Sequence, residues 1–518
     1  MIERWTSVKN EPHVVKCLTA GESYVLREEF APYGYIRATD VVFTVEDTAE
    51  IQKVEMKDEV PTALLIINKK GEFFNSESTF RHAGLSPISV ETENVSGKRH
   101  MKEQLRHFHQ SLMMQGMEKS ASPESWLDAF YMLERFLMER DDKGVRLLIF
   151  LDEIQWMDTP KSGFMTGLEA FWNSWACYRH NVMLVVCGSS ASWIMDKLVN
   201  NHGGLYGRLT CEIELQPFNL HECEQFFISK GLSLSRYDIA QTYMMVGGIP
   251  YYLGYFDKAL SVSQNIQALF FDKGAPLKNE FDRLFSSLFT NPDVMKAIVV
   301  ALNSKKRGLT RKELLDRTGI TDSGLLSKQL KALESGAFII KYDSYGNGKR
   351  NSFYKVSDPF CIFCLRFVSD GSSGKKKEWP GAAGSQSVTI WNGLAFENLC
   401  FNHIDQIKAA LGISGVNTDA SLWSKKGTDE EEGAQIDLII ERKDNVVNMC
   451  EAKFYSDEFI ADKDCHFALL RRERLLREII PKKASIHNTL ITTFGLKNVE
   501  YFGDFVSTIT LDDLFQSV

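Results

Sequence analysis

Apolar and polar positions change rhythm along this chain. Up to about residue 73 they alternate in short runs such as "GESYVLREEF" and "VVFTVED", broken by "APYG" and by acidic turns. A period of two predicts a small antiparallel β segment. Beyond about residue 74 the period lengthens: "MKEQLRHFHQSLMMQG" and "ESWLDAFYMLERFLMER" repeat apolar residues at helical spacing, with Trp126, Phe130, Leu133 and Leu137 on one stripe. Unbroken apolar runs follow, "LLIFLD", "NVMLVVCGSS" and then "CEIELQPF". Such runs read as strands, and helical segments between them predict a parallel sheet wound with helices.

Residues 221–285 carry helical patterns interrupted by "GGIPYYL", and the stretch from "LTRKELL" to "NSFYKV" reads as helix, turn, helix and a two-stranded ribbon, a winged-helix pattern. "SDGSSGKKKEWPGAAGSQS" has linker composition, and the remainder is again mixed α/β. The expected domains are a β-rich fragment at 1–73, an α/β core at 74–257, a helical linker and winged helix at 258–368, a linker at 369–388 and a final α/β domain at 389–518.

Composition narrows the class. The 518 residues are 44% hydrophobic and 25% charged, as in ordinary globular proteins, and the net charge of -8 argues against a wholly basic nucleic-acid binder. No apolar run approaches the ~20 residues of a membrane helix, and "MIERWTSVKNEPHVV" has neither part of a secretory signal, so a cytoplasmic location is expected. The ten cysteines are scattered; the CxxC pair Cys361 and Cys364 lies among bulky apolar residues and reads as buried reduced thiols rather than a zinc site. His107, His109 and His221 lack metal-ligand spacing.

Two constellations carry chemistry. The first is Asp152-Glu153, closing "LLIFLDE". In a nucleotide hydrolase such an Asp holds Mg2+ and such a Glu polarises the attacking water; two solvated acids capping a strand is the other reading. Ser189 and Ser190 end the next apolar run, in reach of a γ-phosphate, and Arg208 follows as a candidate arginine finger. A Gly-rich phosphate loop, GxxxxGK[ST], is absent: Gly97-Lys98 and Gly348-Lys349 are followed by Arg, and Gly374-Lys375 by Lys. Without that cradle, weak or no ATP hydrolysis is expected.

The second is C-terminal. Glu397 in "GLAFENLC" sits on a helical pattern, Asp437 in "AQIDLII" and Glu451 and Lys453 in "NMCEAKF" on two strand patterns. Adjacent hairpin strands bring Asp437 and Glu451 together to hold a divalent metal, Lys453 shares the face of Glu451, and Gln435 lines the same region. A lysine there orients or activates the water that attacks a phosphodiester. An amphipathic hairpin with a structural ion pair is the alternative. Lys328 and Lys331, the basic run "SKKRG" at 304–308, and Lys349-Arg350 suit a DNA backbone; a domain that only packs on its neighbours is an equal reading.

From about Thr79 onward the chain resembles the archaeal-type ATPases of the AAA+ and STAND superfamily, through "FLDEIQWMDTPKSGF", "CGSSASWI", "GGLYGRLT", "SRYDIAQTYMMVGGIPYYL", "GLAFENLC" and "GAQIDLIIERKDNVVNMCEAKF". The resemblance implies an α/β fold with a P-loop-type parallel sheet, ATP and Mg2+ as cofactors of relatives, a winged helix and a PD-(D/E)XK nuclease-like C-terminal domain; DNA is the candidate partner of the last two, and the oligomeric state is left open. In that family the P-loop precedes residues matching "TFRHAGLSP". Here its place is taken by a fragment similar to the prealbumin-like B repeats of Gram-positive pilins, through Tyr24, Leu26, Glu28, Ala31, Pro32, Gly34, Tyr35, Phe43 and Val45. The ATPase sheet is then expected to lack its first strand, and the joint reads as recombined or misassembled coding sequence. Metal-dependent phosphodiester hydrolysis at Asp437, Glu451 and Lys453, with Glu397 in support, is the expected activity; a non-enzymatic nucleic-acid- or protein-binding scaffold is the alternative.

Overall fold

The computed structural model describes residues 23–26, 41–44, 78–85, 97–141, 146–188, 191–199, 203–289, 291–346, 352–369, 379, 385–425 and 433–518. The chain divides into two compact units, residues 1–188 with 197–213, and residues 189–196 with 214–518. It is a mixed α/β protein with a parallel sheet in the first unit and further mixed sheets in the second.

In the first unit, β1 (Ser23–Leu26) and β2 (Val41–Thr44) form an antiparallel pair, Ser23 opposite Thr44. The rest of the pilin-like fragment lies outside the described residues. The main sheet is parallel, in the order β3 (Thr79–Ala83), β4 (Leu147–Asp152), β5 (Val182–Val186). The central strand β4 is buried almost throughout, whereas every residue of β5 is only partly buried. Two helices, Gly97–Met114 and Trp126–Met138, belong to this unit. The second starts at a capping box, with Ser125 accepting from the Asp128 N–H and the Asp128 carboxylate accepting from the Ser125 N–H. Its predicted stripe faces inward: Trp126 meets Phe108 and Phe164 edge to face at 5.6 and 4.9 Å. Such contacts add about 0.5–1.5 kcal/mol each to the burial itself.

One expected strand is missing. "CEIELQPF" adopts no regular structure, with Ile213 50% and Leu215 74% exposed. The physical reason is pairing: among the described residues no strand lies on the open side of β5, so the run has no ladder to join, and an apolar run without a ladder cannot satisfy its backbone as a strand.

The second unit combines helices with a three-stranded and a five-stranded sheet. Helices Leu220–Ser229, Arg236–Val246 and Pro292–Leu302 lead into β6 (Leu309–Thr310), helices Arg311–Thr318 and Gly324–Ser335, and the antiparallel pair β7 (Ile339–Asp343) and β8 (Ser352–Val356), with sheet order β6-β8-β7. A five-stranded sheet follows, ordered β13-β12-β11-β10-β9. In it β9 (Thr418–Lys425), β10 (Ala434–Arg442) and β11 (Val446–Lys453) are antiparallel, while β12 (Ser485–Thr492) and β13 (Ser507–Ile509) run parallel to β11. Helix Lys463–Arg477 makes the crossover from β11 to β12.

One continuous core runs from Leu220 through Leu330, Phe363 and Phe396 to Phe515, and a second, around Ile436, Ile439, Leu475 and Phe505, includes residues of the crossover helix. Within the linker-like stretch Trp379 is 3% exposed, packs on Phe363 and Phe367, and donates its backbone N–H to Gln267 Oε1 at 2.7 Å. The Gly/Ser composition of the stretch gives no hint of this buried aromatic anchor.

Candidate functional site

The C-terminal carboxylates are positioned by three elements. Helix Gln386–Asn402 buries Trp391, Phe396 and Leu399, which sets Glu397 beside the sheet with its side chain 13% exposed. Asp437 lies on β10, next to a register shift between Ile436 and Ile439. Glu451 and Lys453 lie two apart on β11 and therefore on one face. The described β10–β11 ladder runs to Leu438–Cys450. One step beyond, Ala452 donates its N–H to Asp437 Oδ2 at 3.3 Å, so a carboxylate continues where main-chain pairing ends.

Every one of these acids is engaged by a cation. Lys306 Nζ lies 2.7 Å from Glu397 Oε2 and 3.3 Å from Asp437 Oδ1. Lys453 Nζ lies 2.7 Å from Glu451 Oε1, and Arg472 Nη1 lies 2.5 Å from Glu451 Oε2. Burial, with Asp437 next to it, pushes Glu397 up to about 7 despite the nearby lysines. Burial alone would lower Lys306, but Asp437 and Glu397 outweigh it and keep the ammonium above its ordinary value. Lys453 is likewise held up against burial, chiefly by Glu451. Lys355 on β8 makes no such ion pair among the described residues, and burial lowers it to about 8.

Of the residues singled out in the sequence, Glu451 and Lys453 pair directly and Glu397 and Asp437 share Lys306; the sequence alone does not single out Lys306 and Arg472 for this site. Lys306 belongs to the "SKKRG" run expected to face DNA, but the run alternates: Lys305 and Arg307 reach Glu313 at 2.8 and 2.6 Å, while Lys306 turns to the carboxylates. Burial would raise Glu313, yet the bonds from Lys305, the Thr310 N–H and Arg307 hold it at about 2. Arg472 was detectable only as one of several basic residues on an amphipathic helix. Gln435 pairs with Ser424 of β9. Among the described residues no three acidic, His or Cys side chains converge as a ready metal shell. As placed, the carboxylates do not fit Mg2+, because the oxygens an ion needs already accept from lysine, arginine or main chain.

No protein-family model matches this chain. An uncharacterized protein of Methanocaldococcus jannaschii is 25% identical over 195 residues, 36% of this chain, and the chain spans 40% of that relative's length. Among solved structures, the Walker-type ATPase of Pyrococcus abyssi overlaps 56% of this chain and 84% of its own, at 17% identity and a TM-score of 0.37. The ORC2 protein of Aeropyrum pernix, in ADPNP and ADP complexes, overlaps 56% and 78% at 12% identity and a TM-score of 0.30.

The first constellation is less assembled. Asp152 ends β4, and its Oδ1 accepts the Glu153 N–H at 2.9 Å. Glu153 is in the left-handed region, φ 47°, and its carboxylate is bonded by Gln155. A non-glycine residue in that region carries local strain. Beside them, burial first and then the Asp152 charge push the Cys187 thiol up to about 11. Arg208 is exposed, after the turn that begins at Gly203. Ser189 and Ser190 lie outside the described residues. Lys328 and Lys331 are exposed on a helix that buries Leu326, Leu330 and Leu333, and Lys349-Arg350 lies outside the described residues. No helix among the described residues is long and apolar enough to cross a membrane.

Proposed function

We propose that the second unit is a phosphodiester-cleaving module acting on DNA, with Glu397, Asp437, Glu451 and Lys453 as its site. The observation that carries this reading is the junction at Asp437. One carboxylate oxygen is linked through Lys306 to Glu397, and the other accepts from Ala452, between Glu451 and Lys453. A helix and two strands thus deliver four ionisable groups to one place. Ionisable groups with shifted titration gathered at one place are more common at functional sites than in plain packing, and Glu397 is raised here. Lys453, held on Glu451, supplies positive charge for a phosphate oxygen. The exposed Lys328 and Lys331 offer salt-sensitive backbone contacts, as in a winged helix.

Plasmid and single-stranded DNA, incubated with and without a divalent ion, should be cut by the parent chain and not by Asp437→Ala or Lys453→Ala. Nicking that survives either substitution, or its absence even from a Lys306→Met chain, removes this reading.

The first unit belongs with it as an AAA+-like scaffold whose nucleotide chemistry is impaired, since Asp152 and Glu153 have no phosphate loop to serve. Adding ATP and Mg2+ at millimolar concentration should leave the melting temperature unchanged within a degree. A ligand at ~100 times its Kd stabilises by about 2.7 kcal/mol, so a rise of several degrees would show that other residues cradle the phosphates.

A further inference from the structure

We propose that the half-exposed ring of Phe494, with Tyr455 on the neighbouring strand end, is a stacking platform for the unpaired bases of a single-stranded nucleic acid. The inference rests on reading Lys453 as a group that faces phosphate. It goes beyond that reading by naming the substrate class, a strand whose bases are free of pairing.

A ladder of rings leads from the core to this surface. Phe396, fully buried and one residue before Glu397, meets Phe454 at 5.2 Å between centroids. Phe454 directly follows Lys453 and stacks on Tyr237 at 4.9 Å, with 18° between the ring planes. Tyr237 in turn stacks on Phe494 at 5.7 Å and 21°. Phe494 is the outermost ring and is 48% exposed. A single exposed phenylalanine would need no explanation. One that closes a near-parallel series of rings continues the offset-stacked geometry aromatic pairs prefer, and a flat ring is the shape that adds to it.

Rigid elements hold the platform. Tyr237 lies in the first turn of helix Arg236–Val246, which Ser235 caps and which Arg236 ties to Glu224 at 2.9 Å and Asp512 at 3.0 Å. Lys453 and Thr492 are register partners at the ends of β11 and β12. Just beyond them the Thr493 hydroxyl accepts the Tyr455 N–H at 3.2 Å and donates to the Tyr455 carbonyl at 2.6 Å. This clasp sets Tyr455, itself 50% exposed, and Phe494 at the ends of adjacent strands, next to a lysine whose side chain is 32% exposed. Positive charge for the phosphates with aromatic rings for the bases is the combination by which proteins hold single strands without reading their sequence. In a duplex the faces of each base are already covered by its neighbours, so only an unpaired base can extend the ladder.

The test uses the full chain with EDTA and follows binding by fluorescence anisotropy, the probes being checked intact by gel afterwards. Three labelled probes of equal length are compared: a mixed-sequence single-stranded DNA, its duplex, and a strand of abasic sites that keeps the phosphates and lacks the bases. The parent should bind the single strand at least ~5-fold more tightly than the abasic strand. Phe494→Leu, which keeps apolar bulk and removes the plane, should weaken single-strand binding at least ~5-fold and leave the abasic strand and the duplex unchanged. Phe494→Trp should bind the single strand as the parent does. Equal affinity for the single and abasic strands, no binding of the single strand by the folded parent, or single-strand affinity that Phe494→Leu leaves intact overturns the platform; the last result gives the exposed ring to a protein partner instead. Cutting is scored separately. Base-dependent binding without cutting upholds the platform and removes the phosphodiesterase; cutting without base-dependent binding does the reverse.

Discussion

Replacing Gly248 with alanine is expected to cost more than ~4 kcal/mol, enough to unfold the second unit at ordinary temperature. A Cβ there would lie 1.8 Å from the Phe218 carbonyl oxygen and 2.7 Å from the Phe218 nitrogen. These are main-chain atoms, and they cannot swing aside as a side chain would. The approach is also fastened, since the Phe218 N–H donates to the Gly248 carbonyl at 2.8 Å. Gly247 immediately before it has φ 70° and ψ -169°, a combination open essentially to glycine alone. Together the two glycines turn the chain from helix Arg236–Val246 into the short helix Pro250–Leu253. Gly254→Ala serves as control, because its Cβ meets nothing nearer than 3.2 Å and its backbone is helical. Urea unfolding followed by circular dichroism compares them. A Gly248→Ala chain as stable as Gly254→Ala would mean that the two segments do not meet in this way.

The second large effect is expected at Arg472→Met. Glu451 is 4% exposed and keeps its two oxygens on two different cations, Lys453 and Arg472. Removing one member of a buried ion pair costs ~3–5 kcal/mol, because the remaining charge is left buried and under-compensated. With Lys453 still in place the lower end applies, about 3 kcal/mol. Methionine keeps most of the aliphatic length, so packing contributes little. Glu451→Gln combined with Arg472→Met should destabilise by clearly less than the sum of the two separate changes, which is the signature of direct coupling. Strict additivity in urea melts would show that Arg472 acts elsewhere.

These two positions illustrate what the sequence discloses and what it withholds. Periodicity reports which face of an element is buried, so the Trp126 stripe and the continuous run of β4 could be read directly, and with them a mixed α/β architecture containing a parallel sheet. Periodicity is silent about partners. "GGIPYYL" marks a break, but nothing in it points to Phe218, and the close approach emerges only when the chain folds back. The same holds for "CEIELQPF", whose apolar pattern is that of a strand although no strand among the described residues receives it. At the candidate site, residue type and spacing grouped Glu397, Asp437, Glu451 and Lys453, because acids and a lysine within apolar elements are conspicuous. The cations that answer them were concealed for an electrostatic reason. A basic run suits a phosphate and a buried carboxylate equally well, and Lys306 is 131 positions away from Asp437. Arg472 sits in "LLRRERLLR", where four arginines share one helix and only the fold shows that it is Arg472 that reaches Glu451.

The core that joins Leu220 to Phe515 has a consequence for how this protein is made. The C-terminal turn Asp512–Phe515 seats against the first helices of the unit: His221 meets the Phe515 carbonyl at 3.2 Å across 294 positions, and Arg236 pairs with Asp512. Helix Leu220–Ser229 therefore waits for its last neighbours until the ribosome has passed residue 515. At ~5–20 residues per second that interval is roughly 15–60 s, during which the nascent chain displays unsatisfied apolar surface. Chaperone capture and aggregation compete throughout that time, so yield in a cell should depend on translation speed as much as on the stability of the finished fold.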